Sequence, residues 1–214
     1  MMSAIRAGCS SWARWPRPGN RTRFAPGTMT GGGTTLAAGP LTISGAAVKD
    51  LTGGRSLSAS NTTWTNTGAN NGRIRTGGTA LIHNTGTWAD QLAFDAAISA
   101  DFGGSATFDN SGVYTKSGSA VTTIGIAFDN NSGGAGTGVV NINAGTLALT
   151  GGGSSNGSFQ GAGTLNFGGG VYNLAAGSSI ANPDVVFSSG TTNIGGAYNT
   201  ATGQKVNYQS VGSG

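Results

Sequence analysis

Apolar and polar residues alternate along much of this chain with a period of two. Val140, Ile142 and Ala144 are separated by Asn141 and Asn143. Leu147 and Leu149 share one face of an extended segment, as do Leu165 and Phe167. From Leu92 to Phe102 the alternation places Leu92, Phe94, Ala96, Ile98, Ala100 and Phe102 on one side and Asp95 and Asp101 on the other. A period of two marks a strand with one buried face, whereas a helical stripe returns every three to four residues. The abundance of glycine and β-branched residues leaves no segment suited to a helix of normal length. The chain is therefore predicted to be all-β.

These strands recur. Phe167-Gly-Gly-Gly-Val-Tyr-Asn173-Leu174 matches Phe187-Ser-Ser-Gly-Thr-Thr-Asn193-Ile194 at an offset of 20. An earlier set reads Trp64-Thr-Asn66-Thr-Gly68, Ile82-His-Asn84-Thr-Gly86, Phe108-Asp-Asn110-Ser-Gly112 and Phe128-Asp-Asn130-Asn-Ser-Gly133, at offsets of 18, 26 and 20. Between the two sets, Gly145-Thr-Leu147 returns as Gly163-Thr-Leu165. A hairpin meander has no reason to repeat at a fixed interval, but a solenoid does. Stacked coils set equivalent residues about 4.8 Å apart, the spacing of neighbouring strands.

The prediction is a single-stranded right-handed parallel β-helix of about 20 residues per coil, with eight or nine coils over roughly 40 Å. Phe108, Phe128, Phe167 and Phe187 would form apolar ladders, and Asn66, Asn84, Asn110, Asn130, Asn173 and Asn193 would form amide ladders beside the turns. Trp64 aligns with Ile82 and Phe108 in the core. The offset of 26 predicts a loop of about six extra residues between Ile82 and Phe108.

Composition then has to be reconciled with order. Glycine supplies 41 of 214 residues, a level that without periodicity would suggest disorder. Disorder also calls for high net charge, and only 8% of the residues are charged. The net charge of +4 misleads, because five of the eight arginines lie in the first 23 residues. From Phe24 onward three Arg and three Lys face seven Asp, so the body offers no footprint for nucleic acid. Residues 1–30 lack the apolar core of a signal peptide. They read as a fragment end or a misassigned start rather than an organelle transit peptide, and are set apart from a repeat domain spanning 31–214. Cys9, alone in the chain, excludes an intrachain disulfide. No apolar run is long enough for a membrane helix.

Val139-Val-Asn-Ile-Asn-Ala-Gly-Thr-Leu-Ala-Leu-Thr-Gly151 resembles the strand repeat associated with autotransporter passengers, and Tyr114-Thr-Lys-Ser-Gly118 is similar to the segment preceding it. The Phe-x-Asn-x-Gly units resemble filamentous haemagglutinin-like adhesin repeats. The resemblance covers residues 31 to 208. It implies secretion or display on a bacterial cell surface, a β-helical stalk, and adhesion to host or surface glycans or proteins. It transfers no catalytic residue and no cofactor. The export barrel of autotransporters is absent from this sequence, so the chain is expected to be a fragment or to be anchored by other means. Uncapped terminal strands would favour end-to-end self-association.

Candidate chemistry is sparse. Asp109 and Asp129 hold equivalent places in adjacent repeats, with His83 one repeat earlier. Two carboxylates about 5 Å apart can bind a cation, or act as the pair of a retaining glycosidase; exposed ladder carboxylates are otherwise simply solvated. Asp95 and Asp101 lie too far apart on a straight strand to cooperate. Arg73 and Arg75 share a face that could clamp an acidic sugar. Trp64 and Trp88 could form a sugar-stacking platform, although packing suits Trp64 better. No phosphate loop, metal-ligand spacing or Ser/His/Asp set is evident. One Thr-x-Thr unit, Thr63-Trp-Thr65, fails to recur as an ice-binding ladder. A stalk or adhesive segment is expected, with a polysaccharide lyase or hydrolase, or a glycan-binding β-helix, as the alternatives.

Overall fold

The computed structural model describes residues 3–4, 21–24, 27–69, 72–131, 138–198 and 205–208. Every described element is a strand, and every strand pairing is parallel. The chain winds as a right-handed β-solenoid of about eight turns, the hand that parallel crossovers favour.

Each complete coil crosses three faces. Ile82–Asn84 lies on the first, Trp88–Asp90 on the second and Ala96–Ile98 on the third. The next coil repeats them with Phe108–Asn110, Tyr114–Lys116 and Thr122–Ile124. On the third face the ladder runs from Gly27–Met29 through Lys49–Leu51, Ile74–Thr76, Ala96–Ser99, Val121–Ile124, Thr146–Leu149, Thr164–Leu174 and Asp184–Ile194 to Lys205–Tyr208.

The solenoid takes in part of the segment set apart above, since Thr22–Phe24 pairs with Leu41–Ile43 in one sheet and Gly27–Met29 with Lys49–Leu51 in the other. Phe24 is buried, and Arg23 lies beside Lys49 closely enough to perturb it. Cys9 lies outside the described residues.

Coil length varies around the expected value of about 20 residues. Trp88, Tyr114 and Val140 are Cα partners at successive intervals of 26, whereas Leu149, Phe167 and Phe187 follow at 18 and 20. Ile82 pairs directly with Phe108, and the interval between them is ordinary coil containing Leu81–Asp90 and Ala96–Ser99 rather than an extruded loop. The eleven-residue strand expected from Leu92 to Phe102 is shortened to Ala96–Ser99, with Phe94 and Phe102 exposed at its flanks.

Interior columns explain the register. Ile74, Ile98, Ile124, Leu149 and Phe167 stack on successive coils, all essentially inaccessible to water. Phe167 and Phe187 are Cα partners with ring centroids 5.5 Å apart. Phe108 and Phe128 are likewise partners, at 5.3 Å. Each buried ring contributes roughly 1.5–3 kcal/mol through area removed from water. Where Gly153 leaves the first face without a side chain, the Tyr172 hydroxyl donates to the Phe128 carbonyl at 2.7 Å.

Glycine marks the corner between the first two faces for a reason other than torsion. A Cβ on Gly112 would collide with the Gly86 carbonyl, and one on Gly86 with the Ser60 carbonyl. Here the backbones of successive coils leave no room for a side chain.

Candidate functional site

The outward column of the first face carries five of the polar groups singled out from sequence, namely His83, Asp109, Asp129, Asn173 and Asn193. It runs Ser58, His83, Asp109, Asp129, Ser154, Asn173 and Asn193. Asp109 and Asp129 are Cα partners in adjacent coils, yet their carboxylates turn to different neighbours. Asp109 faces back, 3.5 Å from His83 Nε2 and 3.5 Å from the Ser111 hydroxyl. Asp129 Oδ1 accepts from both the Ser154 amide and the Ser154 hydroxyl, each at 2.8 Å. Among the described residues no group of three or more His, Cys, Asp or Glu side chains converges as a metal would require.

His83, Ser111 and Asp109 do meet, but not as a nucleophilic triad. Serine and aspartate both approach Nε2, the serine at 3.3 Å and the aspartate at 3.5 Å. A triad needs the carboxylate on Nδ1, so that Nε2 is free to take the serine proton.

The other charged candidates are each engaged within the fold. Arg75 is held by both oxygens of Asp50 at 2.7 and 2.8 Å and lies over the Phe102 ring. Arg73 pairs with Asp101 at 2.7 Å. These aspartates come from the preceding and following coils, so the arginines are already neutralised where an acidic sugar would have to bind. Asp95 accepts from the Val121 amide at 2.8 Å and braces a corner.

Trp64 and Trp88 are fully interior and meet edge to face, with Trp88 also against Phe108. Neither offers a surface to a sugar. Trp64 does not stack on Ile82; its Cα partners are Ile43 and Asp90.

The amides also divide. Asn84, Asn110 and Asn130 form a buried ladder, Asn84 Nδ2 donating to Asn110 Oδ1 at 2.7 Å and Asn110 Nδ2 to Asn130 Oδ1 at 2.8 Å. The same nitrogens also donate to the carbonyls of Val113 and Val139. Asn173 and Asn193 pair at 2.9 Å on the outside instead. Asn66 belongs to neither set: it donates to the Phe94 carbonyl and accepts from the amides of Ala93 and Phe94. A shallow cavity of about 700 Å³ flanks the outer amides, lined in part by Asn131, Ser154, Asn156, Asn173 and Asn193.

One cluster was missed from sequence. In the second-face column, Trp64, Asp90, Lys116 and Ile142 stack in that order. Asp90 and Lys116 are inaccessible to water, with Lys116 Nζ 3.7 Å from Asp90 Oδ2. Tyr114 Oη and Thr122 Oγ1 donate to the same carboxylate oxygen at 2.7 and 2.6 Å. Lys116 Nζ donates to Thr122 Oγ1 at 3.0 Å, and Oδ1 accepts from the Leu92 amide at 3.2 Å. Burial lowers the lysine pKa, opposed by the charge of Asp90, while burial raises the Tyr114 hydroxyl well above its ordinary value. The available signal was the continuation of the Asn-Thr-Gly and Asn-Ser-Gly units: Thr-Trp-Ala-Asp90 follows Gly86, and Val-Tyr-Thr-Lys116 follows Gly112.

No protein-family model, curated protein or solved structure matches this chain.

Proposed function

We propose that this chain is a non-enzymatic structural or adhesive stalk segment of a bacterial surface or secreted repeat protein, working outside the cell. The observation that carries the reading is the continuous parallel ladder from Gly27–Met29 to Lys205–Tyr208 along one face of an interior packed with side chains. Such a ladder is a stiff spacer of roughly 40 Å at about 4.8 Å per coil. The resemblance of its strand repeats to autotransporter passengers and filamentous haemagglutinin-like adhesins points the same way. So does the pairing of Arg73 and Arg75 with aspartates, because a lyase or hydrolase on this scaffold would need basic and acidic groups free to meet a substrate.

The adhesive form of this reading uses the outer amides and hydroxyls of Ser154, Asn173 and Asn193, which suit the hydroxyls of a neutral glycan or the backbone of a protein. A glycan array probed with the full chain and with Asn173→Ala/Asn193→Ala separates the forms. Binding lost in the double variant identifies an adhesive face, and no binding leaves a spacer. Release of new chain ends from any polysaccharide on the array would overturn the non-enzymatic assignment.

A further inference from the structure

We propose that Lys116 and Asp90 condense into an intramolecular amide that staples two adjacent coils from within. The inference stands on the interior cluster and is independent of the stalk reading. Its starting point is an energetic oddity. The column that holds the pair is otherwise filled by Ile43, Trp64 and Ile142, and burying two charges there costs desolvation that their attraction at best offsets. A well-packed apolar pair would serve packing equally. An amide would serve in a way that neither arrangement can.

The geometry supplies the steps. Lys116 Nζ, Thr122 Oγ1 and Asp90 Oδ2 form a hydrogen-bonded chain of 3.0 and 2.6 Å. A proton passing from the ammonium to Thr122, as the Thr122 proton passes to Oδ2, converts the ion pair into a neutral amine and carboxylic acid. Burial favours the uncharged amine of Lys116. The amine, 3.7 Å from Oδ2, closes on Cγ to the near-attack separation of about 3–3.5 Å. As the Nζ–Cγ bond forms, charge develops on Oδ1, which already accepts from the Leu92 amide. The second nitrogen proton follows the same route to Oδ2, the Cγ–Oδ2 bond breaks, and one water leaves. Ammonium and carboxylate thus become an amide and water, with no oxidant, reductant or other reactant required. The partners are Cα neighbours, so the product closes a loop through one whole coil.

The test is the intact mass of the full chain, read after denaturation on material that first resists limited proteolysis. The expected result is a deficit of one water, with a branched peptide joining the Asp90 and Lys116 segments. Lys116→Arg, which keeps the charge pair, should restore the sequence mass. Asp90→Asn should lose ammonia in place of water. Thr122→Val should keep the fold and slow the cross-link by at least tenfold. A protease-resistant chain at full sequence mass overturns the proposal, and an unslowed Thr122→Val overturns the relay.

Discussion

Replacing Asn110 by alanine removes the middle rung of the buried amide ladder. Three hydrogen bonds go with it: the one accepted from Asn84 at 2.7 Å, the one given to Asn130 at 2.8 Å, and the one given to the Val139 carbonyl at 3.2 Å. Each is worth about 0.5–1.5 kcal/mol net, and groups that lose a buried partner add desolvation cost, so the expected loss is about 2–5 kcal/mol. Asn193→Ala is the matched control, since its single amide bond to Asn173 lies at the surface. Its expected cost is under about 0.5 kcal/mol. Urea unfolding of the full chain, followed by far-UV circular dichroism, measures both. The midpoint should fall clearly for Asn110→Ala and hardly move for Asn193→Ala, with the slope unchanged. Equal shifts in the two variants would refute the argument that the inner ladder, rather than amide pairing in general, holds the coils in register.

Three further outcomes follow from the same packing. Gly112→Ala should destabilise the chain by several kcal/mol in the same urea assay, because the new methyl meets the Gly86 carbonyl; a neutral effect would mean that the corner has room to relax. Lys49 is buried on backbone carbonyls, its pKa lowered by burial and by Arg23, so Lys49→Met should raise stability by about 1–2 kcal/mol, and a loss would contradict this. Burial, aided by Asp90 and Asp129 respectively, raises the hydroxyls of Tyr114 and Tyr172 well above the ordinary 10.0. A raised folded-state value means their contribution is fully present below about pH 10 and is lost as pH climbs through the folded value. Tyrosinate absorbance in an alkaline titration should therefore show these two ionising only as the dichroism signal collapses; ionisation within the folded chain would count against their burial.

The solenoid was legible because its two signals are local. Period-two alternation gives strands, and the return of Phe-x-Asn units gives coils, so the Phe108–Phe128 and Phe167–Phe187 partnerships follow from spacing alone. What spacing could not give is which strand of a coil an Asn-x-Gly unit occupies. Trp64-Thr-Asn66 reads like Ile82-His-Asn84, yet the first lies one face further along the coil, which places Trp64 on Asp90 and takes Asn66 out of the ladder. The partners of Arg73, Arg75 and Asp129 were hidden for a related reason. They lie 25 to 28 residues away in neighbouring coils, and a uniform period of 20 points to the wrong residues. Asp90 and Lys116 escaped notice because a charged residue in an alternating strand is read as facing water. Only the column containing Trp64 and Ile142 shows that both face inward.

Coil length also changes along the axis, from intervals of 19 to 22 residues near Phe24 and Met29, through 26 around Trp88 and Tyr114, to 18 and 20 beyond Leu149. The two interior tryptophans, Trp64 and Trp88, sit where the perimeter is greatest. A beam resists sideways load in steep proportion to its width, so a shaft thick at its waist and slender towards both ends bends at the ends first. Lateral force on this rod would be taken up as flexing near its two ends, leaving the aromatic waist unbent.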